Sequence, residues 1–66
     1  MAIAKVVEVN SSSAKSFEDA MQTGIAKVTE TVKNVQGACI NEQKVVIKDN
    51  QIVEYRVNLK ISFLVD

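Results

Sequence analysis

Val53, Tyr55, Val57, Leu59, Ile61, Phe63 and Val65 occupy one parity of a long run, and Glu54, Arg56, Asn58, Lys60 and Ser62 the other. A period of two over this length specifies a long β-strand with one apolar and one polar face. A strand of some fourteen residues is long for any sheet, and this chain has only 66 residues. Everything else must therefore be arranged to cover one side of that strand.

A helix is available to do so. Phe17, Ala20, Met21, Gly24, Ile25, Val28, Val32 and Val35 recur at spacings of three and four, the stripe of a helix with one buried face. Ser16 is the expected N-cap, with Asp19 three residues on imitating a capping box. Glu18 and Asp19 suit the positive end of the helix dipole and Lys33 the negative end. Gly24 costs about 1 kcal/mol in a helix interior, which is explained if a strand passes close by. Asn34 or Gly37 is expected to end the helix in a left-handed conformation.

Two further strands complete the reading. Ile3–Val9 is rich in β-branched residues, and the polar stretch Asn10–Lys15 is expected to form a loop. Ala38–Lys48 reads as a strand with weak patterning in its first half. Asp49-Asn50-Gln51 is a turn, because Asp and Asn tolerate positive φ. The expected fold class is α+β, in the order β-α-β-β, as a single domain over residues 1–66. The third strand should lie centrally, antiparallel to both others, in a three-stranded sheet curled around one helix.

Composition narrows the function. Eight Lys+Arg balance eight Asp+Glu, so no basic footprint for nucleic acid or an anionic membrane exists. One Cys excludes a disulfide framework within the chain, and no His is present, which removes the usual zinc sites. No apolar run approaches the roughly 18 residues of a membrane span. The first residues lack a secretory pattern, so a cytoplasmic protein is expected. No P-loop, G-x-G-x-x-G or nucleophile elbow occurs, so no enzyme is expected. A domain this small buries only about 60% of its unfolded surface, and without disulfides or an evident metal site self-association is the favoured route to stability.

Candidate site residues lie on the polar face. Arg56 can hold a carboxylate or phosphate by its planar fork, or pair with Glu42 or Glu54 between subunits. Glu8, Glu42, Glu54 and Asp66 are candidate oxygen ligands for a cation if copies converge on a symmetry axis. Cys39 is expected to fill space in its strand rather than act as a redox thiol. Phe17, Met21, Tyr55 and Phe63 are assigned to the core.

The run Lys5-Val6-Val7-Glu8-Val9, then Ser11-Ser12, then Phe17-Glu18-Asp19-Ala20, together with Tyr55-Arg56-Val57-Asn58-Leu59-Lys60-Ile61-Ser62-Phe63, resembles the dodecins, small β-α-β-β proteins. The resemblance implies a hollow homododecamer of cubic 23 symmetry with the helices outside. It also implies storage of a flavin, riboflavin or FMN, bound in pairs near two-fold interfaces. The flavin-stacking Trp of the family corresponds to Gly37, and the Gln that hydrogen-bonds the flavin corresponds to Arg56. These departures are similar to a Trp-less branch containing calcium-binding dodecins. The reading is a non-enzymatic shell that binds or sequesters a small ligand or a cation such as calcium at subunit interfaces, with the usual flavin sandwich disfavoured. The alternatives are flavin storage in an altered pocket and a purely structural cage.

Overall fold

In the computed structural model, which describes residues 3–65, the elements follow in the order β1 (Ile3–Ser13), α1 (Phe17–Thr29), β2 (Val35–Lys48) and β3 (Gln51–Val65). The three strands form one sheet in the order β1-β3-β2, with β3 antiparallel to both neighbours. The β-α-β-β order, the central third strand and the helix-covered sheet thus match the expectation. No helix among the described residues is long and apolar enough to cross a membrane.

The core is a single row. Val57, Leu59 and Ile61 of β3 are 0–2% exposed, and Ala20 of α1 is fully buried against them. Val7, Val9, Phe17, Met21, Ile25, Val28 and Val35 pack around this centre. Phe17 meets Tyr55 edge to face with centroids 5.1 Å apart, a geometry worth about 0.5–1.5 kcal/mol beyond its buried area. The close approach at Gly24 is real. A Cβ there would stand 3.1 Å from Ser11 Cβ and 3.3 Å from Leu59 Cδ1.

Ser16 caps α1, its Oγ accepting from the Asp19 N–H at 3.0 Å. Asp19 does not turn back to close a capping box. Its carboxylate accepts from the Ser13 hydroxyl at 2.6 Å and ties the end of β1 to the helix start. Three boundaries differ from expectation. β1 runs on through Ser13 because Asn10–Ser13 pair in register with Asn58–Tyr55 of β3, so tertiary pairing overrides the polar local sequence. The helix stops at Thr29, one residue before its C-cap Glu30, and Lys27 rather than Lys33 lies in its last turn. Val35 opens β2 instead of continuing the stripe. Asn34 supplies the left-handed residue (φ 63°), and its carbonyl accepts from the Leu64 N–H at 3.0 Å. Gly37 lies within β2 without positive φ.

The hairpin turn is tight. Lys48 pairs with Gln51, leaving Asp49 and Asn50 as its two central residues with φ of 51° and 64°, the left-handed pair that such a turn demands. β1 ends opposite Tyr55, where Phe17 at the start of α1 also stops. Beyond that point β2 and β3 continue alone as a two-stranded arm. Val53, expected on the helix-covered face, is 41% exposed because it lies on this arm. Ile47 and Ile52 face each other there, 60% and 51% exposed.

Candidate functional site

Antiparallel partners directly opposite each other share a face, so the register defines the polar side of the sheet. Across it run the rows Glu8–Lys60–Cys39, Asn10–Asn58–Glu42 and Ser12–Arg56–Lys44. β3 contributes the middle residue of each row because its alternation is unbroken, and β2 contributes the third only after irregularities in register. Shifts fall between Val35 and Gly37, between Ile40 and Glu42, and between Val46 and Ile47. The first two set an extra residue, Gln36 and Asn41, into β2, and the third sets Val53 into β3; each re-aims the side chains around it.

The residue skipped by the second shift is Asn41, and its amide reaches the central row. Asn41 Nδ2 donates to Asn58 Oδ1 at 3.1 Å. Asn58 Nδ2 donates in turn to Asn10 Oδ1 at 2.8 Å and Glu8 Oε2 at 3.1 Å. This oxygen-rich chain spans all three strands. Sequence reasoning named Glu8 and placed Asn58 on the polar face but missed Asn10 and Asn41, because Asn10 was read as loop and Asn41 joins the row only through the shift in register. The nearby weak patterning of β2 was the available signal.

Among the described residues Arg56 and Glu54 form the closest ion pair, Nε to Oε1 at 2.7 Å. The pair expected between subunits thus forms within one chain. The Arg56 hydrogen bond is the main reason the Glu54 carboxyl sits below the ordinary glutamate range. Desolvation opposes it, while the charge of Arg56, the Ser12 hydroxyl and Lys48 add smaller contributions to the lowering. Glu42 pairs with Lys44 instead, at 3.7 Å. A hollow of about 390 Å³ opens here, with Asn10, Ser12, Glu42, Lys44, Glu54 and Arg56 in its walls.

Within one chain the candidate site residues lie apart. Gly37 lies opposite Ser62, six positions along β3 from Arg56, which at about 3.4 Å per residue is roughly 20 Å. One chain therefore does not bring these two positions together. Glu8, Glu42 and Glu54 turn to different partners: Asn58, Lys44 and Arg56. Among the described residues no group of three or more acidic, Cys or His side chains gathers in one place. Asp66 lies outside the described residues. Cys39, expected to be a strand filler, is exposed on the polar face.

The residues present do not fit the usual flavin sandwich. Gly37 offers no ring, and Arg56 offers donors but no acceptor. Gly37 is nonetheless open ground. A Cβ there would meet only Ser62 Oγ, at an ordinary 3.7 Å.

Comparison with known proteins places these features in context. A family model described as Dodecin matches residues 3–66. A crystallised variant of the Thermus thermophilus dodecin superposes with a TM-score of 0.94 at 24% identity, covering 100% of this chain and 98% of that one. The dodecin from Streptomyces davaonensis gives 0.91 at 23% identity, over 98% and 96% of the two chains. A calcium dodecin from Mycobacterium tuberculosis, described as a calcium-chelating immunodominant antigen with a novel calcium-binding site, gives 0.82 at 24% identity, over 92% and 87%. At these identities the structural likenesses establish the fold. No curated protein sequence matches the chain.

Proposed function

This chain belongs to the dodecin family, and from that premise we propose that it is a non-enzymatic binding protein, assembling into a closed shell that holds a small ligand where copies meet. The homododecamer of the family is the assembly this reading adopts. The observation that carries it is the open polar hollow around Arg56, on a sheet whose two-stranded arm is left bare.

The surface supports assembly. The chain exposes 4918 Å², against about 4,100 Å² for a compact protein of its mass. Its radius of gyration is 13.6 Å, where a compact chain of this length has about 11 Å. The molecule is drawn out to 52 Å along its long axis. A pocket using both Gly37 and Arg56 needs two copies, since one chain holds them far apart.

Flavin in the family's stacked pose is disfavoured. Without an aromatic wall the stacking gain of about 0.5–1.5 kcal/mol per contact is absent. Fluorescence quenching titrations with riboflavin are expected to show weak binding, and submicromolar affinity would overturn this part of the reading. Gly37→Trp should fold, because the space beside Gly37 is open, and should bind riboflavin more tightly than the parent.

A second reading is favoured by the oxygen-rich row of Glu8, Asn10, Asn58 and Asn41. Carboxylate and carboxamide oxygens are calcium ligands, and copies meeting at this row would bring Glu8, Glu42 and Glu54 toward one cation. Calcium should then raise the melting temperature and EDTA lower it. A melting temperature indifferent to both would remove this reading.

A further inference from the structure

β2 sets Lys44 directly opposite Arg56, and β1 sets Ser12 on the other side of Arg56. Like charges directly opposite each other destabilise a sheet, so this placement calls for a compensating group. The acids do not stand between the two cations. Glu42 is the register partner of Asn58 and Glu54 that of Val46, each lying two residues along its own strand from the cation it pairs with. Glu54 engages Arg56 through Nε. Among the described residues nothing hydrogen-bonds the terminal guanidinium nitrogens, and Lys44 has only an exposed contact of 3.7 Å with Glu42. The hollow of about 390 Å³ opens over this row, and sites for small molecules begin at about 300 Å³.

We infer that the Ser12–Arg56–Lys44 row is an oxyanion site, where one phosphate or carboxylate group bridges the Lys44 ammonium and the terminal nitrogens of Arg56. The inference rests on the ligand-binding reading above and names the ligand class of that hollow. Cβ atoms of opposed residues lie about 4.5–5.5 Å apart, so the two long side chains converge on a single tetrahedral anion. Arg56 supplies a planar fork and Lys44 a mobile point charge; the single Ser12 O–H is already engaged with Glu54. The bound anion removes the Lys44–Arg56 repulsion and leaves the Glu54–Arg56 bond in place, because that bond occupies Nε alone. Exposure makes the site sensitive to ionic strength.

The test titrates the full-length protein with inorganic phosphate at constant ionic strength, against acetate and chloride, reading the melting temperature and the phosphorus NMR line. Phosphate should raise the melting temperature saturably, acetate less, and chloride not at all. Lys44→Gln and Arg56→Gln should each weaken the phosphate midpoint about tenfold without changing particle mass, and Lys44→Arg should restore it. FMN should bind more tightly than riboflavin, which lacks the phosphate. A phosphate response equal to that of chloride would overturn the inference, as would an unchanged midpoint in Lys44→Gln. All three residues belong to one chain, so the titration decides the oxyanion site even if the protein proves monomeric, a result that would defeat the shell instead.

Discussion

The two ends of β3 share one alternating pattern and have opposite fates. At one end Val57, Leu59 and Ile61 are sealed beneath α1 and flanked by β1. At the other, Val53 and Ile52 stand in the open on a two-stranded arm with Ile47. The pattern in the sequence fixes which side chains share a face. Whether that face is covered depends on how far the helix reaches, and a 13-residue helix spans about 20 Å, against about 50 Å for a 15-residue strand. Two-stranded ribbons are marginal alone in water, so in the proposed shell the bare end is where another copy would pack and the covered end is where one chain suffices.

Substitutions that separate the two ends break or sharpen this contrast. The largest effect belongs to Leu59→Ala, expected to cost about 2–5 kcal/mol because the cavity lies under the helix. Chemical denaturation should show it, together with loss of assembly. Next comes Ile52→Lys on the arm. It forfeits up to about 1.5–3 kcal/mol of burial per copy, but only where copies meet. Circular dichroism should therefore keep its native shape while light scattering reports a smaller particle; an unchanged particle mass would show that the arm is not an interface.

Gly24→Ala probes the covered end more gently. Helix propensity favours Ala by about 1 kcal/mol, but the new Cβ meets the Ser11 Cβ, which is fixed to the strand backbone, at 3.1 Å. Overpacking costs about 1–3 kcal/mol, so a net loss near 1 kcal/mol is expected in thermal melts, and a gain would mean that β1 yields easily. The smallest effect is electrostatic. Glu54 is held below its ordinary pKa by Arg56, so its contribution is full above the unfolded glutamate range and fades as pH falls through the lowered folded value. Glu54→Gln should flatten the acid side of the melting-temperature profile slightly, and an identical profile would show the exposed pair to be neutral for stability.

The fold was legible where each element follows one period. β3 and the first three turns of α1 announce themselves, the Asp49–Asn50 turn follows from tolerance of positive φ, and the order of elements then leaves β3 in the centre. β2 was harder for a definable reason. The residues that its register places on the helix side are Val35, Ala38, Ile40, Gln43 and Val45, a spacing of three, two, three, two that matches no regular element. The shifts around Gln36 and Asn41 produce it. The polar end of β1 was hidden for another reason: Asn10–Ser13 have poor strand propensity and are held by pairing with β3.

The candidate site was legible in part. Arg56 and Glu54 are neighbours on one strand face, so their pairing follows from parity. Lys44 opposite Arg56 depends on a register set by the turn and the shift after Val46, and the Asn41–Asn58–Asn10 chain depends on the earlier shift. The gap of roughly 20 Å between Gly37 and Arg56 appears only once the strands are paired, and under the proposed assembly a pocket using both would lie between chains.

Sedimentation equilibrium of the purified chain at micromolar concentration tests the central claim most directly. A single species of about twelve times the 7.2 kDa chain mass is the result predicted by the shell that the family resemblance implies. A folded species of one chain mass, stable on dilution, would contradict it.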